Sequence, residues 1–534
     1  MVRHRDRLNH LPAWLPVALA TVPTVVLGVF YVWPLVTLAG RAMTASGPTA
    51  VRPSRVADVA WFTFWQAAIS TLFTVLVGLA PAWALARYRF PGRRVVLGVL
   101  TVPFMLPTVV VAAAFLTVLP SDLHEGALTV VLAHVFFNIA VVVRLCGSMW
   151  ATIPTDLSAA ARTLGARPVQ VFRHVLLPLL RPSIVASTTV VFLFTFTSFG
   201  VVRLLGGTGN ATLEVEIARR ATQLGDVRGA ALLSGVQLAI LVAVVWWSAR
   251  AQRRATIALQ GATAPTALRG VGGRWAAGVL VIATALVLTP LIALVAASFR
   301  PGGRWSLTAW TTLGHTEVRP GVGLGVDPLA SLWISLRYAM VATLVATVVG
   351  VLAAVAVASA RRARWLDTGL MLPLGTSAVT LGLGMLITFD RSPYDWRGEW
   401  WLVPLGHALV GIPFVVRATL PALRSIPADH RAAALTLGAS PLRAWWEVEV
   451  RRLARPALTG AGFAAAISLG EFGATTFLTR AGRETLPIAV ARLLGRAGAV
   501  PRAQAAALAT LLLALTVVVV ALVDRQESAD ARRS

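Results

Sequence analysis

Few residues of this 534-residue chain have the chemistry to act on another molecule, and those few sit in apolar surroundings. Glu471 lies in Ile467-Ser-Leu-Gly-Glu-Phe-Gly473, within a run otherwise fit to cross a bilayer. A charge at the centre of such a run costs about 2.5–3.5 kcal/mol, so it faces the protein interior or does work. Two readings follow: Glu471 serves a functional site inside the bundle, or it hydrogen-bonds there as a packing clasp. Ser198, in Thr195-Phe-Thr-Ser-Phe-Gly200, holds the matching place earlier in the chain. Ser198, Phe199, Glu471 and Phe472 are therefore the candidate functional residues. His134 and His407 also match, in Leu132-Ala-His134 and Leu405-Gly-His407. Metal ligation is one use for such a pair. A hydrogen bond to a neighbouring helix is the plainer one, and no metal site is assigned.

Enzymatic chemistry finds no foothold. The sequence has no lysine, so a standard phosphate-binding loop and lysine Schiff-base chemistry are both excluded. It has no paired His/Glu zinc motif and no serine elbow. The single Cys146 rules out intrachain disulfides and cysteine clusters, and reads as a small apolar residue in a span. No catalytic residue is assigned.

The elements that must carry these residues are membrane helices. The chain is 57% hydrophobic and only 13% charged, with mean hydropathy +0.74, against roughly a quarter charged in soluble domains. Apolar runs long enough to cross a hydrocarbon core of about 30 Å recur near 14–40, 61–86, 95–119, 127–150, 184–205 and 229–249. A second set lies near 275–299, 331–358, 368–389, 401–421, 458–479 and 504–523. The fold class is all-α polytopic membrane protein, with about twelve spans in two homologous six-helix halves. The first run follows Arg3, Arg5 and Arg7 and is too long for a cleaved leader, so it reads as an uncleaved first span. Expected boundaries are a first half at 1–250 (core 61–250), a cytoplasmic linker at 251–274, a second half at 275–523 (core 331–523), and a cytoplasmic tail at 524–534. The net charge of +26 sits between apolar runs, where it fits orientation and lipid headgroups and not nucleic acid. Loops on the side of the N-terminus hold about 30 Arg against about 17 opposite, which places both termini in the cytoplasm of a plasma (inner) membrane protein.

One polar island occurs twice. The first copy runs from Asp156 as D-L-S-A-A-A-R-T-L-G-A-R-P, and the second from Asp429 as D-H-R-A-A-A-L-T-L-G-A-S-P. Pro154, Gly165 and Pro168 recur with one spacing as Pro427, Gly438 and Pro441, and Arg144 recurs as Arg417. Each island follows the fourth run of its half. The Ala159-Ala160-Ala161 and Ala432-Ala433-Ala434 triplets favour a short helix, the glycine permits a sharp turn, and the following proline suits the first turn of a second helix. The second helix of the first copy is amphipathic through Val169, Val171, Phe172 and Val175. An ordinary solvated loop has little reason to repeat this pattern, so the islands read as docking surfaces.

The islands resemble the signature cytoplasmic loop of binding-protein-dependent ABC importer permeases, Glu-Ala-Ala with Gly after three more residues. The resemblance covers both halves. It implies a type I importer permease fold, with each loop seating a coupling helix on one of two copies of an ABC ATPase subunit. The chain would bind no cofactor itself; ATP and Mg would be used by the ATPase. An extracytoplasmic solute-binding protein would deliver cargo to loops that include Gly206–Arg228 and Arg480–Arg502. Two permease domains in one chain resemble the iron(III)/thiamine branch, and Ala211-Thr-Leu-Glu-Val-Glu-Ile217 leans toward thiamine permeases. The family's Glu falls on Ala159 and Ala432, so neither loop has it. The alternative is an ion-coupled secondary transporter with six plus six spans, which would not need the repeated loop and would place proton-coupling carboxylates at mid-membrane; Glu471 and Asp390 are the candidates.

Overall fold

The computed structural model describes residues 14–44, 52–253, 265–319, 322–359, 364–390 and 395–530. Within them, long apolar stretches without competing turn residues become helices, as in the 35-residue α3 (Pro53–Arg87) and the 32-residue α15 (Pro328–Ser359). Among the described residues, nine helical segments are long and apolar enough to cross a membrane, or up to eleven when two bent pairs are each taken as one span. The outer faces of these helices expose rows such as Val281, Ile282 and Leu286 on α13 (Gly270–Ser298). Apolar surface of that extent belongs against lipid. This is an all-α, multi-pass membrane protein.

The first half opens with α1 (Trp14–Leu27), a π-helical turn, and α2 (Trp33–Thr44). Next come α3, the bent pair α4 (Arg93–Thr101) and α5 (Thr108–Val118), and α6 (Ala127–Thr152). The first repeated loop holds α7 (Thr155–Thr163) and α8 (Pro168–Val171). It leads to α9 (Leu177–Phe196), the short α10 (Gly200–Leu205), α11 (Leu213–Thr222) and α12 (Val227–Arg253). After α13 and the one-turn α14 (Thr308–Thr311), the second half repeats the order. It runs through α15, the bent pair α16 (Arg364–Gly375) and α17 (Ala378–Thr388), α18 (Leu402–Arg424), and the loop helices α19 (Ala428–Thr436) and α20 (Pro441–Trp445). It ends with α21 (Ala454–Gly470), α22 (Gly473–Leu478), α23 (Leu486–Leu494) and α24 (Ala499–Asp530).

Glycine sets the closest helix pairs. A Cβ on Gly78 of α3 would meet Val142 of α6 at 2.7 Å, and one on Gly350 of α15 would meet Val415 of α18 at the same distance. The two halves thus share one packing seam. The halves also exchange their first helices. Leu15, Leu27 and Tyr31 join the core cluster built by α15, α17 and α18, whereas Leu280, Val287 and Leu294 of α13 join the cluster of α3, α5 and α6.

Three expectations need correction. The spans expected at 184–205 and 458–479 are each broken: α9 stops at Phe196 and α21 at Gly470, so the pathway candidates sit in the gaps. The runs expected at 95–119 and 368–389 bend by 105° and 96°. Pro107 and the Ser377 cap force these bends, since Pro cannot continue a helix as donor and a capped serine starts a new one. Finally, the expected external loops Gly206–Arg228 and Arg480–Arg502 contain α11 and α23, whose Leu213, Ile217, Leu486 and Leu493 are fully buried. The apolar face of each short helix has nowhere to go but back into the bundle. Of the expected linker 251–274 and tail 524–534, residues 254–264 and 531–534 lie outside the described residues, as do Arg3, Arg5 and Arg7.

Candidate functional site

The breaks in the fifth span of each half meet at the centre of the molecule. The Phe199 and Phe472 rings stack with centroids 5.3 Å apart. Around them, a Cβ on Gly470 would press on Pro107 at 3.1 Å, and one on Gly473 would meet Ala378 and Val379 at 3.2 and 3.3 Å. The bends of the third spans therefore pack into the breaks of the fifth spans. Small residues are required at those breaks because backbone approaches backbone there. The four pathway candidates Ser198, Phe199, Glu471 and Phe472 are all less than a tenth exposed and fall in this one layer.

Glu471 has a defined set of partners. Its carboxylate accepts from the amides of Ala474 and Thr475, both at 2.9 Å, and from the Thr475 hydroxyl at 2.6 Å. It caps α22 and satisfies donors that a six-residue helix cannot satisfy itself. His407 completes the set, with Nδ1 2.9 Å from Ser468 Oγ and Nε2 2.8 Å from Thr475 Oγ1. The Thr475 proton is committed to Glu471, so Nε2–H donates to Thr475 and Nδ1 accepts from Ser468. A neutral imidazole satisfies all of these bonds.

The matching layer of the first half lacks this set. Glu471, Ser468 and Thr475 correspond to Ser198, Thr195 and Val202. Thr195 turns its hydroxyl onto Val191 O of its own helix. Both ring nitrogens of the buried His134 are left without partners among the described residues, as are Ser70 Oγ, Asn138 Oδ1 and Gln66 Oε1. Gly78 against Val142 and Gly147 against Ala82 fix the register of α3 and α6, which brings Ser70 level with His134. Among the described residues, no group of three His, Cys, Asp or Glu side chains is placed to hold a metal.

The two repeated loops fold alike, from the same residues. Pro154 and Pro427 precede α7 and α19, and the Ala159–Ala161 and Ala432–Ala434 triplets lie within those helices. Gly165 and Gly438 adopt φ of +84° and +87°, while the next amide returns to Ala161 O or Ala434 O at 3.0 or 3.1 Å. This is the helix-ending turn with a left-handed residue that glycine favours. No atom lies within 4 Å of a Cβ built at either glycine, so backbone conformation, and not space, demands it. Pro168 and Pro441 then open α8 and α20. Leu164 and Leu437, at the tips, are 89% and 88% exposed. Val169, Phe172, Leu442 and Trp446 are exposed beside them, whereas Val171 turns inward. Among the differences between the loops, Arg431 pairs with Glu449 at 3.4 Å in the second, where the first has Ser158 in the place of the arginine.

Sequence reasoning missed Glu214 and Gln237, because a polar stretch between spans gives no sign that it folds back inside. Glu214 on α11 is fully buried and bonded by Gln237 of α12. Two residues on, Glu216 takes Arg219 and Arg220 at 2.8 and 2.9 Å and Arg55 at 3.8 Å. Burial alone would raise the Glu216 carboxyl, but the bond and charges of Arg219, with Arg220 and Arg55, outweigh it and hold the group below the usual carboxylate range.

Two pseudo-symmetric bundles, a central break layer and paired loops define an importer permease. The chain belongs to the binding-protein-dependent transport system inner membrane component family, whose model matches it twice, at residues 74–300 and 346–529. It is 27% identical over 483 residues to the thiamine transport system permease protein ThiP of Salmonella typhimurium, covering 85% of this chain and 87% of that protein. The ThiP of Escherichia coli is 28% identical over 467 residues, covering 81% and 83%. A putative 2-aminoethylphosphonate permease, PhnV of Salmonella typhimurium, is 30% identical over 257 residues, which is 47% of this chain and 94% of that protein.

Proposed function

We propose that this chain is the fused permease of an ATP-driven thiamine importer, with both termini in the cytoplasm. Ala159, Ala160, Ala161, Gly165 and Pro168 form one ATPase-coupling loop; Ala432, Ala433, Ala434, Gly438 and Pro441 form the other. Each engages one copy of a separate ATPase, so ATP hydrolysis belongs to the partner and not to this chain. Ser198, Phe199, Glu471 and Phe472 form the gate, and an extracytoplasmic binding protein supplies the cargo. The observation that carries the coupling reading is the pair of superimposable turns, each ending in a leucine nearly nine-tenths exposed. With Val169 and Phe172 exposed beside the first tip, and Leu442 and Trp446 beside the second, each loop presents several apolar side chains together, which is the mark of an interaction surface. Thiamine is favoured over ferric iron because the similarity to thiamine permeases spans more than four fifths of both proteins.

The test joins the chain to its ATPase and binding protein in proteoliposomes. Cysteines at Leu164 and Leu437 should each cross-link to an ATPase copy, and thiamine uptake should require ATP and the binding protein. Uptake that persists without the ATPase would instead identify an ion-coupled carrier.

A further inference from the structure

We infer that Glu214 is a cation-recognising carboxylate in the translocation route, placed to take an organic cation that carries N–H donors; this rests on the thiamine reading above. Glu214 is wholly removed from solvent. Gln237 Nε2 donates to Oε1, and Oε2 has no hydrogen-bond partner among the described residues. Gln237 Oε1, which can only accept, and the Thr212 hydroxyl, which can accept or donate, are also without partners among the described residues, so the neighbourhood keeps open hydrogen-bonding capacity. No Arg forms an ion pair with Glu214 among the described residues, although three Arg surround Glu216 two positions later. A buried carboxylate without a cation is costly, and it must take either a proton or a cation from elsewhere.

Its position makes cargo the natural source. Helix α11 crosses to the other half and packs against α17 and α22. The Ser377 hydroxyl, at the cap of α17, stands beside the Glu214 carboxylate. Ser377 immediately precedes Ala378, which a Cβ on Gly473 would touch, and Phe472 of the stacked pair precedes Gly473. Glu214 therefore reaches the seam between the halves in the layer of the gate. Leu213 N is held by Thr63 Oγ1 at 2.9 Å, which fixes the start of α11 and so the carboxylate. Glu471, the other acidic residue of this layer, has its oxygens engaged by α22 and Thr475. The corresponding position in the second half is Pro487, so the layer holds a single carboxylate with open capacity, off the pseudo-twofold axis. An asymmetric cation with a ring nitrogen charge and an amino group, as thiamine has, matches one carboxylate flanked by an amide oxygen that accepts and by hydroxyls that accept or donate.

The experiment compares Glu214→Gln and Glu214→Asp with wild type in the complete complex of permease, ATPase and binding protein. It measures thiamine uptake together with thiamine-stimulated ATP hydrolysis. Glu214→Gln should lower uptake at least about tenfold, the discrimination that roughly 1.4 kcal/mol supplies, while basal hydrolysis and thermal stability stay near wild type. Glu214→Asp should recover part of the loss, which a neutral hydrogen-bonding role would not require. Uptake by Glu214→Gln within about twofold of wild type, with wild-type carriage intact, overturns the site alone. A wild-type complex that carries no thiamine overturns the substrate reading and this assignment with it.

Discussion

The two halves share a packing seam, a loop and a break, yet they treat the polar groups at the break differently. In the second half, His407, Ser468, Thr475 and Glu471 close a complete hydrogen-bond set across α18, α21 and α22. In the first half, among the described residues, His134 has no hydrogen-bond partner and Asn138, Gln66 and Glu214 each keep an open atom, whereas Ser70 is left open just as its counterpart Thr343 is in the second half. A satisfied network fixes one geometry, whereas a partly satisfied one leaves groups that a ligand, proton or water must serve. Symmetry of fold therefore coexists with a division of labour. The second half acts as a braced strut, and the first presents unspent polarity toward the seam.

The largest expected effect comes from breaking the brace. His407→Leu leaves Ser468 and Thr475 without their ring partners and the buried Glu471 short of a neighbour, and should lower stability by about 2–4 kcal/mol. His134→Leu removes an imidazole that satisfies nothing and should change stability by less than about 1 kcal/mol, with stabilisation as the expected sign. Unfolding of the two variants in mixed micelles checks this directly; equal losses would erase the contrast. Next in size, Gly438→Val and Gly165→Val force a β-branched residue into the left-handed region at about 1–2 kcal/mol each. Both should cut ATP-driven uptake while leaving helix content unchanged. The Arg431–Glu449 pair braces only the second loop, so Gly165→Val should be the more damaging of the two. Phe472→Ala loses a stack worth about 0.5–1.5 kcal/mol and opens the layer. Passive dye leak through proteoliposomes should rise for it and for Phe199→Ala alike, because each ring is half of one contact.

The repeat was legible because it is written locally. The Ala triplet, Gly165 or Gly438, and the following proline dictate helix, left-handed turn and helix without help from the rest of the chain. The broken fifth spans were not legible. Hydropathy scores Phe196 to Leu205 and Ile467 to Leu478 as continuous apolar runs, and the break depends on Pro107 and Ser377 arriving from other helices to occupy the gap. Glu471 was visible as an oddity, but its partners depend on the register of α18 against α21. Glu214 shows the limit most clearly. Its stretch, Thr212-Leu-Glu-Val-Glu-Ile217, carries two acids and reads as an exposed connection, and only the packing of Leu213 and Ile217 reveals that both acids are buried, with their helix against the other half.

The smallest effect separates those two acids. Glu216 is held below the usual carboxylate range by Arg219, Arg220 and Arg55, against the opposing pull of burial. A depressed folded value means that its contribution is complete above the ordinary Glu value of about 4.3 and disappears as pH falls through the lower folded value. Wild type and Glu216→Gln should therefore differ in thermal midpoint by a constant amount from neutral pH to about 5, and the difference should shrink steadily as pH falls below about 4.3. Taking the difference between the two proteins cancels Asp226 and the other carboxylates that titrate over the same range. A gap that stays constant down to about pH 3 would mean that the Arg cluster does not hold Glu216 in its charged form. The first half would then lack even this outer anchor, and the contrast with the braced second half would be sharper than the structure indicates.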